Sequence, residues 1–374
     1  MRPVFPAVSA LALSVLLVAG CDRNARQPGE PQATAASTAP ATVGDSMASD
    51  DSVARAQTAQ DHPVMQAQVV LDRLGFTPGV VDGKTGLSTR NAIAGFQEAN
   101  GLPQSGEMDA ATREKLGQWS TIPATRKVTI PADFAAGPFM AMPKDPAEQA
   151  KLPALTYASL DEKLAERFHT TVPTLLALNP GVVAVPANAP PGSAAFRGGQ
   201  EITVPNVGHD RIDPGQMSGD ADWQRTLAML GVGTDQPAVE RVVVSKSKGT
   251  LKAYDKADKL VAVYTATMGS THDPLPIGNW KVNGVSRNPK FHYNPALFWD
   301  ASPGDKKAML PPGPNSPVGV VWIDVSKEHY GIHGTPSPET IGRAESHGCV
   351  RLTNWDAARL SLMVKPGTKV VFEK

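Results

Sequence analysis

Apolar positions along the chain fall into distinct rhythms, and each predicts a different element. Val8 to Val18 is an apolar stretch behind Met1-Arg2, too short to span a bilayer comfortably, and reads as a signal peptide. From Asp22 to about Asp61 large apolar residues almost vanish among Ala, Thr, Ser, Gln, Pro and Asp, so this stretch cannot offset the entropy of ordering and reads as a tether. Ala67, Val70, Leu71 and Leu74 then recur at helical spacing, with Gly75 as a stop. Ala92, Ile93 and Phe96 form a second stripe, and Asp109 can cap a third short helix ending near Leu116. Together they predict a small helical bundle over residues 62–119.

Leu160, Leu164 and Phe168 predict a helix, and Pro173 and Pro180 bracket another. Gly199 to Pro205 reads as a short strand, giving a small α+β module over residues 154–206. After residue 239 the period shortens to that of strands: Arg241–Ser245, Leu251–Tyr254, Leu260–Thr265, Trp280–Val282, Val320–Ile323 and Lys369–Phe372. One helix is expected at Asn354–Met363. The expected fold class is therefore multidomain: an all-α three-helix bundle, a small α+β module and a mainly-β sandwich or barrel over 239–374. Residues 120–153 and 207–238, rich in Pro and Gly, read as linkers that let the last domain move relative to the others.

Charge changes this picture little. Lys plus Arg and Asp plus Glu both number 36, so no charge excess argues for nucleic acid or an anionic membrane surface. Cysteine changes it more. The chain has 2, and Cys21 closes the apolar export segment. If processing consumes Cys21, Cys349 is left without a disulfide partner in an oxidising compartment, and nucleophilic catalysis is a reason to keep it. Cys349 lies in Ser346-His347-Gly348-Cys349-Val350-Arg351-Leu352, with His333-Gly334-Thr335 upstream. An imidazole beside a thiol can take its proton and later return one, the requirement of acyl transfer. His333 and His347 are both candidates, although His347 shares the cysteine's own loop. Gly348 permits close backbone approach, and the amides around Gly348-Cys349 can stabilise an oxyanion. A zinc ion held by His333, His347 and Cys349 is an alternative, short of a fourth ligand. His62, His169, His209, His272, His292 and His329 read as solvated or structural.

Several of these segments resemble known families. Leu17-Val18-Ala19-Gly20-Cys21 resembles a bacterial lipoprotein box, which implies lipidation at Cys21 and an extracytoplasmic, periplasmic, membrane-anchored protein. Leu74-Gly75-Phe76, Val81-Asp82-Gly83, Phe96-Gln97 and Asn100-Gly101-Leu102 resemble the three-helix peptidoglycan-binding family. Ala165-Glu166-Arg167-Phe168 and Leu178-Asn179-Pro180 resemble a LysM module, departing from it in the missing first-turn Gly-Asp and in the insertion from Gly181 to Gly198; a glycan-binding unit and a structural spacer both stay open.

Ile332 to Thr335 with Ser346 to Leu352 resembles the signature of the L,D-transpeptidase (YkuD-type) family, supported by Pro274-Leu275-Pro276-Ile277-Gly278-Asn279-Trp280 and by the loop Leu310–Gly319. That resemblance implies a cysteine enzyme of the bacterial wall, without cofactor or metal. Cys349 would attack the L-centre-to-D-Ala amide of a tetrapeptide stem, D-Ala would leave, and a diamino-acid amine would take the acyl group in a 3→3 crosslink. His333 would move the proton, oriented by carbonyls near Gly334, and Ser346, His347 and Gly348 would shape the nucleophile loop. Arg351 would hold a substrate carboxylate or, alternatively, a loop-fixing salt bridge, and Thr335 would face substrate. Water as acceptor would make a carboxypeptidase, and a lysine of an outer-membrane lipoprotein would make a ligase. A non-catalytic wall tether is the alternative from another class.

Overall fold

The computed structural model describes residues 62–186, 188–208, 212–213 and 220–374; the signal-peptide, tether and Cys21 expectations lie outside them. Three helices open the described chain, α1 (Pro63–Arg73), α2 (Leu87–Ala99) and α3 (Ala110–Leu116). Pro63 sits in the first turn of α1, where its missing N–H costs nothing, and the Asp109 side chain accepts from the Thr112 amide to cap α3. Ala92, Ile93 and Phe96 are buried as their spacing predicts, and Phe96 meets Phe76 edge-on at 5.9 Å.

The middle module is built on strand β1 (Thr125–Thr129), helices α4 (Leu160–Arg167) and α5 (Val172–Leu178), and strand β2 (Glu201–Pro205), with β1 and β2 antiparallel. β1 lies inside the segment read as a linker. Its sequence, Thr-Arg-Lys-Val-Thr, hides the strand because a charged residue takes an inward position: Arg126 is buried, donates to the Val207 carbonyl at 3.2 Å and packs over the Phe168 ring.

The second linker is corrected in the same way. Helix α6 (Ala221–Leu230) occupies it, and Trp223, Leu227 and Leu230 join the core of the β domain. Their i, i+4, i+7 spacing is a helical stripe overshadowed by the neighbouring Gly and Pro. Strands β3 (Arg241–Ser245), β4 (Thr250–Tyr254), β5 (Leu260–Thr265), β6 (Thr267–Met268), β7 (Gly278–Arg287), β8 (Phe291–Tyr293), β9 (Ala308–Leu310), β10 (Val321–Val325), β11 (Gly331–His333), β12 (Val350–Arg351) and β13 (Lys369–Glu373) follow, with helix α7 (Asn354–Met363) before the last. The main sheet runs β5-β4-β3-β13-β7-β10-β11-β12-β6. β5 and β6 are separated only by Ala266, so the first and last strands belong to one run and the sheet curls almost into a barrel. β8 and β9 form a separate two-stranded ribbon.

The helical bundle docks on this sheet at β5. Thr77 N donates to the Val263 carbonyl and Val263 N to the Gly75 carbonyl, so the bundle covers an otherwise open strand edge. A buried charge cluster joins all three parts. Asp72 of α1 accepts from Arg359 of α7 at 3.1 and 2.9 Å and meets His169 Nδ1 at 3.2 Å; His169 Nε2 contacts the Leu230 carbonyl at 2.8 Å. His169 also stacks on Trp355, with centroids 4.8 Å apart. The expected freedom of the β domain is therefore corrected: breaking a fully buried ion pair leaves an uncompensated charge, typically at a cost of about 3–5 kcal/mol.

Candidate active site

The parallel pairing of β11 with β12, Ile332 with Val350 and His333 with Arg351, brings together the two motifs, whose His333 and Cys349 are sixteen positions apart in sequence. His333, Cys349 and Arg351 line one cavity of about 1210 Å³, with Trp322, Tyr330, His347 and Asp300. The loop between β8 and β9 carries Phe298, Trp299 and Asp300 along its rim.

His333 is buried, and its Nδ1 donates to the Gly334 carbonyl at 2.7 Å. That carbonyl can only accept, so the neutral ring carries its proton on Nδ1 and leaves Nε2 as a base. Trp322, cross-strand on β10, stacks on the ring at 5.5 Å. Burial, reinforced by the Arg351 cation and partly opposed by the Gly334 bond, pushes the imidazole down to about 3. Burial also pushes the Cys349 thiol up, against the Gly331 backbone and Arg351. Both shifts favour the neutral forms, a thiol and a neutral base lining one cavity, with the thiol directed at the His329 carbonyl 3.8 Å away.

The nucleophile loop is held by its own residues. Ser346 Oγ donates to the Cys349 carbonyl at 2.6 Å and accepts from the Gly269 amide at 2.7 Å, tying the loop to the end of β6. Gly348 has φ +96°, and a Cβ there would lie 2.6 Å from the Tyr330 ring, so glycine is required twice over. A Cβ on Gly334 would meet Asn354 Oδ1 at 2.1 Å.

His347 is separated from the role of base: its Nε2 is engaged by Asp300 Oδ1 at 2.7 Å, and Phe298 meets its ring edge-on at 5.0 Å. Arg351 approaches the Glu345 carbonyl and His347 Nδ1, each at 3.5 Å, and forms no ion pair with a carboxylate among the described residues; the loop-fixing salt bridge is absent there. Burial lowers its pKa, offset by Cys349 and Asp300. Thr335, expected at the substrate, is instead buried, its hydroxyl accepting from the Ser337 amide at 3.3 Å. Among the described residues no group of three or more His, Cys, Asp or Glu side chains is placed to hold a metal ion.

Trp322, Tyr330 and Asp300 were not legible as site residues. Only Trp322 carried a signal: in Val321-Trp322-Ile323-Asp324 the apolar residues Val321 and Ile323 face the core, which leaves a tryptophan on the opposite face needing a partner.

Residues 239–372 match the family model of the L,D-transpeptidase catalytic domain, YkuD, and residues 60–116 that of a family described as "Putative peptidoglycan binding domain". A Bacillus licheniformis protein described as "Putative L,D-transpeptidase YkuD" is 30% identical over 160 residues, 43% of this chain and 81% of that protein. An Escherichia coli K12 protein described as "Probable L,D-transpeptidase YbiS" is 32% identical over 36% of this chain and 44% of its own length. The solved structure of L,D-transpeptidase 3 from Mycobacterium tuberculosis aligns at 20% identity over 38% of this chain and 62% of that one, with a TM-score of 0.31.

Proposed function

This chain belongs to the L,D-transpeptidase family, and from that premise we propose that it cleaves the terminal D-Ala from a tetrapeptide stem through a Cys349 acyl-enzyme and passes the acyl group to a diamino-acid amine. The observation that carries the reading is the Nδ1–H bond from His333 to the Gly334 carbonyl, which leaves Nε2 bare in the cavity that also holds Cys349.

The Cys349 side chain rotates from the His329 carbonyl toward His333, and Nε2 takes the thiol proton as sulfur attacks the amide carbonyl. The Gly348 and Cys349 amides receive the developing oxyanion. As the C–N bond breaks, the imidazolium returns its proton to the departing D-Ala amine, leaving a thioester. An acceptor amine then attacks the thioester and gives its proton to His333 Nε2; as the C–S bond breaks and the 3→3 amide forms, the imidazolium returns that proton to the departing cysteine sulfur, restoring the thiol and the neutral base. Arg351, a cation without a carboxylate partner among the described residues, receives a substrate carboxylate, for which a guanidinium fork is suited. His347 and Ser346 hold the loop. This is an acyltransferase of the EC 2.3.2 type, needing no cofactor.

The match to a peptidoglycan-binding family supports a wall substrate and an extracytoplasmic location, with Cys21 as the proposed lipid anchor. The antiparallel pairing of β1 with β2 across the helix pair α4 and α5 supports the LysM-like reading of the middle module, although two short helices, Ala132–Ala135 and Pro146–Gln149, intervene between β1 and α4.

Incubation with purified tetrapeptide muropeptides, followed by chromatography and mass analysis, tests the proposal. A 3→3 dimer with free D-Ala is expected; tripeptide alone would assign water as acceptor, and unchanged substrate would return the chain to the class of wall-binding tethers.

A further inference from the structure

We infer that Glu166, a residue of the middle module, is a positioning residue for the catalytic histidine, acting through Asn354 and Gly334; this rests on the reading of His333 as the base.

The contact chain is short and buried. Asn354, the first residue of α7, is fully buried, and its Nδ2 donates to Glu166 Oε1 at 2.7 Å and to the Pro314 carbonyl at 3.1 Å. Its Oδ1 accepts from the Val320 amide at 3.3 Å. With acceptors at the nitrogen and a donor at the oxygen, the carboxamide has one satisfactory orientation. In that orientation Oδ1 lies directly against two glycines, since a Cβ would approach it to 1.9 Å on Gly319 and 2.1 Å on Gly334. Gly334 supplies the carbonyl that fixes the tautomer and ring direction of His333. Glu166 therefore holds the group that braces the acceptor of the base.

The module is docked so as to present this carboxyl. Leu155 N donates to the Pro312 carbonyl and Asn315 N to the Leu155 carbonyl, at 2.9 and 3.0 Å, and Asn315 Nδ2 donates to the Thr156 carbonyl at 2.8 Å. A side chain on Gly313 would come within 2.2 Å of the Leu155 carbonyl. The loop Leu310–Gly319 is thus clamped to the middle module at one end and leads to Gly319 and Gly334 at the other. The Tyr157 hydroxyl bonds Glu166 from its own module. Of the two acceptors that Asn354 Nδ2 finds among the described residues, the catalytic domain supplies only the Pro314 carbonyl and the middle module supplies Glu166, so the domain's geometry is completed by its neighbour. Deleting that acceptor leaves a buried amide proton short of a partner and frees the carboxamide to turn against Gly334.

The test uses the full chain with tetrapeptide muropeptide as substrate. Glu166→Met keeps the volume and removes the acceptor; Glu166→Gln keeps an oxygen that can face Asn354. Glu166→Met is expected to lower kcat about tenfold or more with KM unchanged, as a displaced base would, and Glu166→Gln to retain activity within about twofold. If the Met variant does not fold, Tyr157→Phe loosens Glu166 from its other side and is expected to lower kcat severalfold. Full activity in a folded Met variant, or equal loss in Met and Gln, overturns the inference, as does full activity in Tyr157→Phe where that variant stands in. His333→Ala is measured alongside: an active His333→Ala enzyme refutes the reading of the base, whereas an inactive one with Glu166→Met unimpaired refutes the positioning role alone.

Discussion

The surroundings of Cys349 and His333 disfavour a thiolate–imidazolium pair at rest. Burial pushes the thiol up and, with Arg351, pushes the imidazole down to about 3, so both shifts favour the neutral forms. Alkylation of Cys349 by iodoacetamide should then rise continuously with pH through the neutral range toward the alkaline side. An ion pair would instead give a plateau from acid pH, and a rate already level at pH 6 would contradict this account. Gly348 adds a steric expectation. Gly348→Ala places a methyl group 2.6 Å from the Tyr330 ring in a backbone conformation that L-residues rarely adopt, and should reduce kcat about a hundredfold while leaving most of the buried core intact. Circular dichroism and turnover together check it.

At the scale of elements, legibility followed how locally each signal was written. The nucleophile loop could be read because Ser346, His347, Gly348 and Cys349 are contiguous, and β3 to β5 because their valines and leucines run at strand spacing. β1 was missed because Arg126 is buried by stacking and hydrogen bonding, which no polarity pattern reveals. α6 was missed because composition outweighed periodicity. Its assignment to the β domain has a direct consequence: Trp223 is completely buried, and Trp223→Ala should lower stability by about 3–5 kcal/mol in chemical denaturation. A loss below about 1 kcal/mol would return residues 221–230 to the status of a linker. The link from Glu166 to Asn354 spans 188 positions and could not be read from either neighbourhood.

At the scale of the whole molecule, the buried carboxyls set how stability depends on pH. Burial acts to raise Asp72, but Arg359 and His169 prevail and hold it well below the usual range. Its contribution is therefore present above the unfolded pKa of about 4 and is lost as pH falls through the folded value. Glu166 and Asp356 have the opposite sign: burial pushes each up to about 7, so the folded chain keeps protons that the unfolded chain releases near pH 4. The cost of these two groups accumulates from about pH 4 to 7 and then levels off. Thermal stability should consequently peak on the mildly acid side and decline toward neutrality. Glu166→Gln should flatten that decline, and Asp72→Asn should lower the whole curve while weakening its acid limb. A midpoint that rises steadily from pH 4 to 8 would contradict this balance.

The central claim is that Cys349 carries the acyl group, and intact-mass analysis of the protein mixed with tetrapeptide muropeptide and quenched early tests it most directly. The account predicts an adduct with the mass of the donor less D-Ala, located on the Cys349 peptide, absent from Cys349→Ala and accumulating far more slowly in His333→Ala. Release of D-Ala by Cys349→Ala at the parent rate would contradict it.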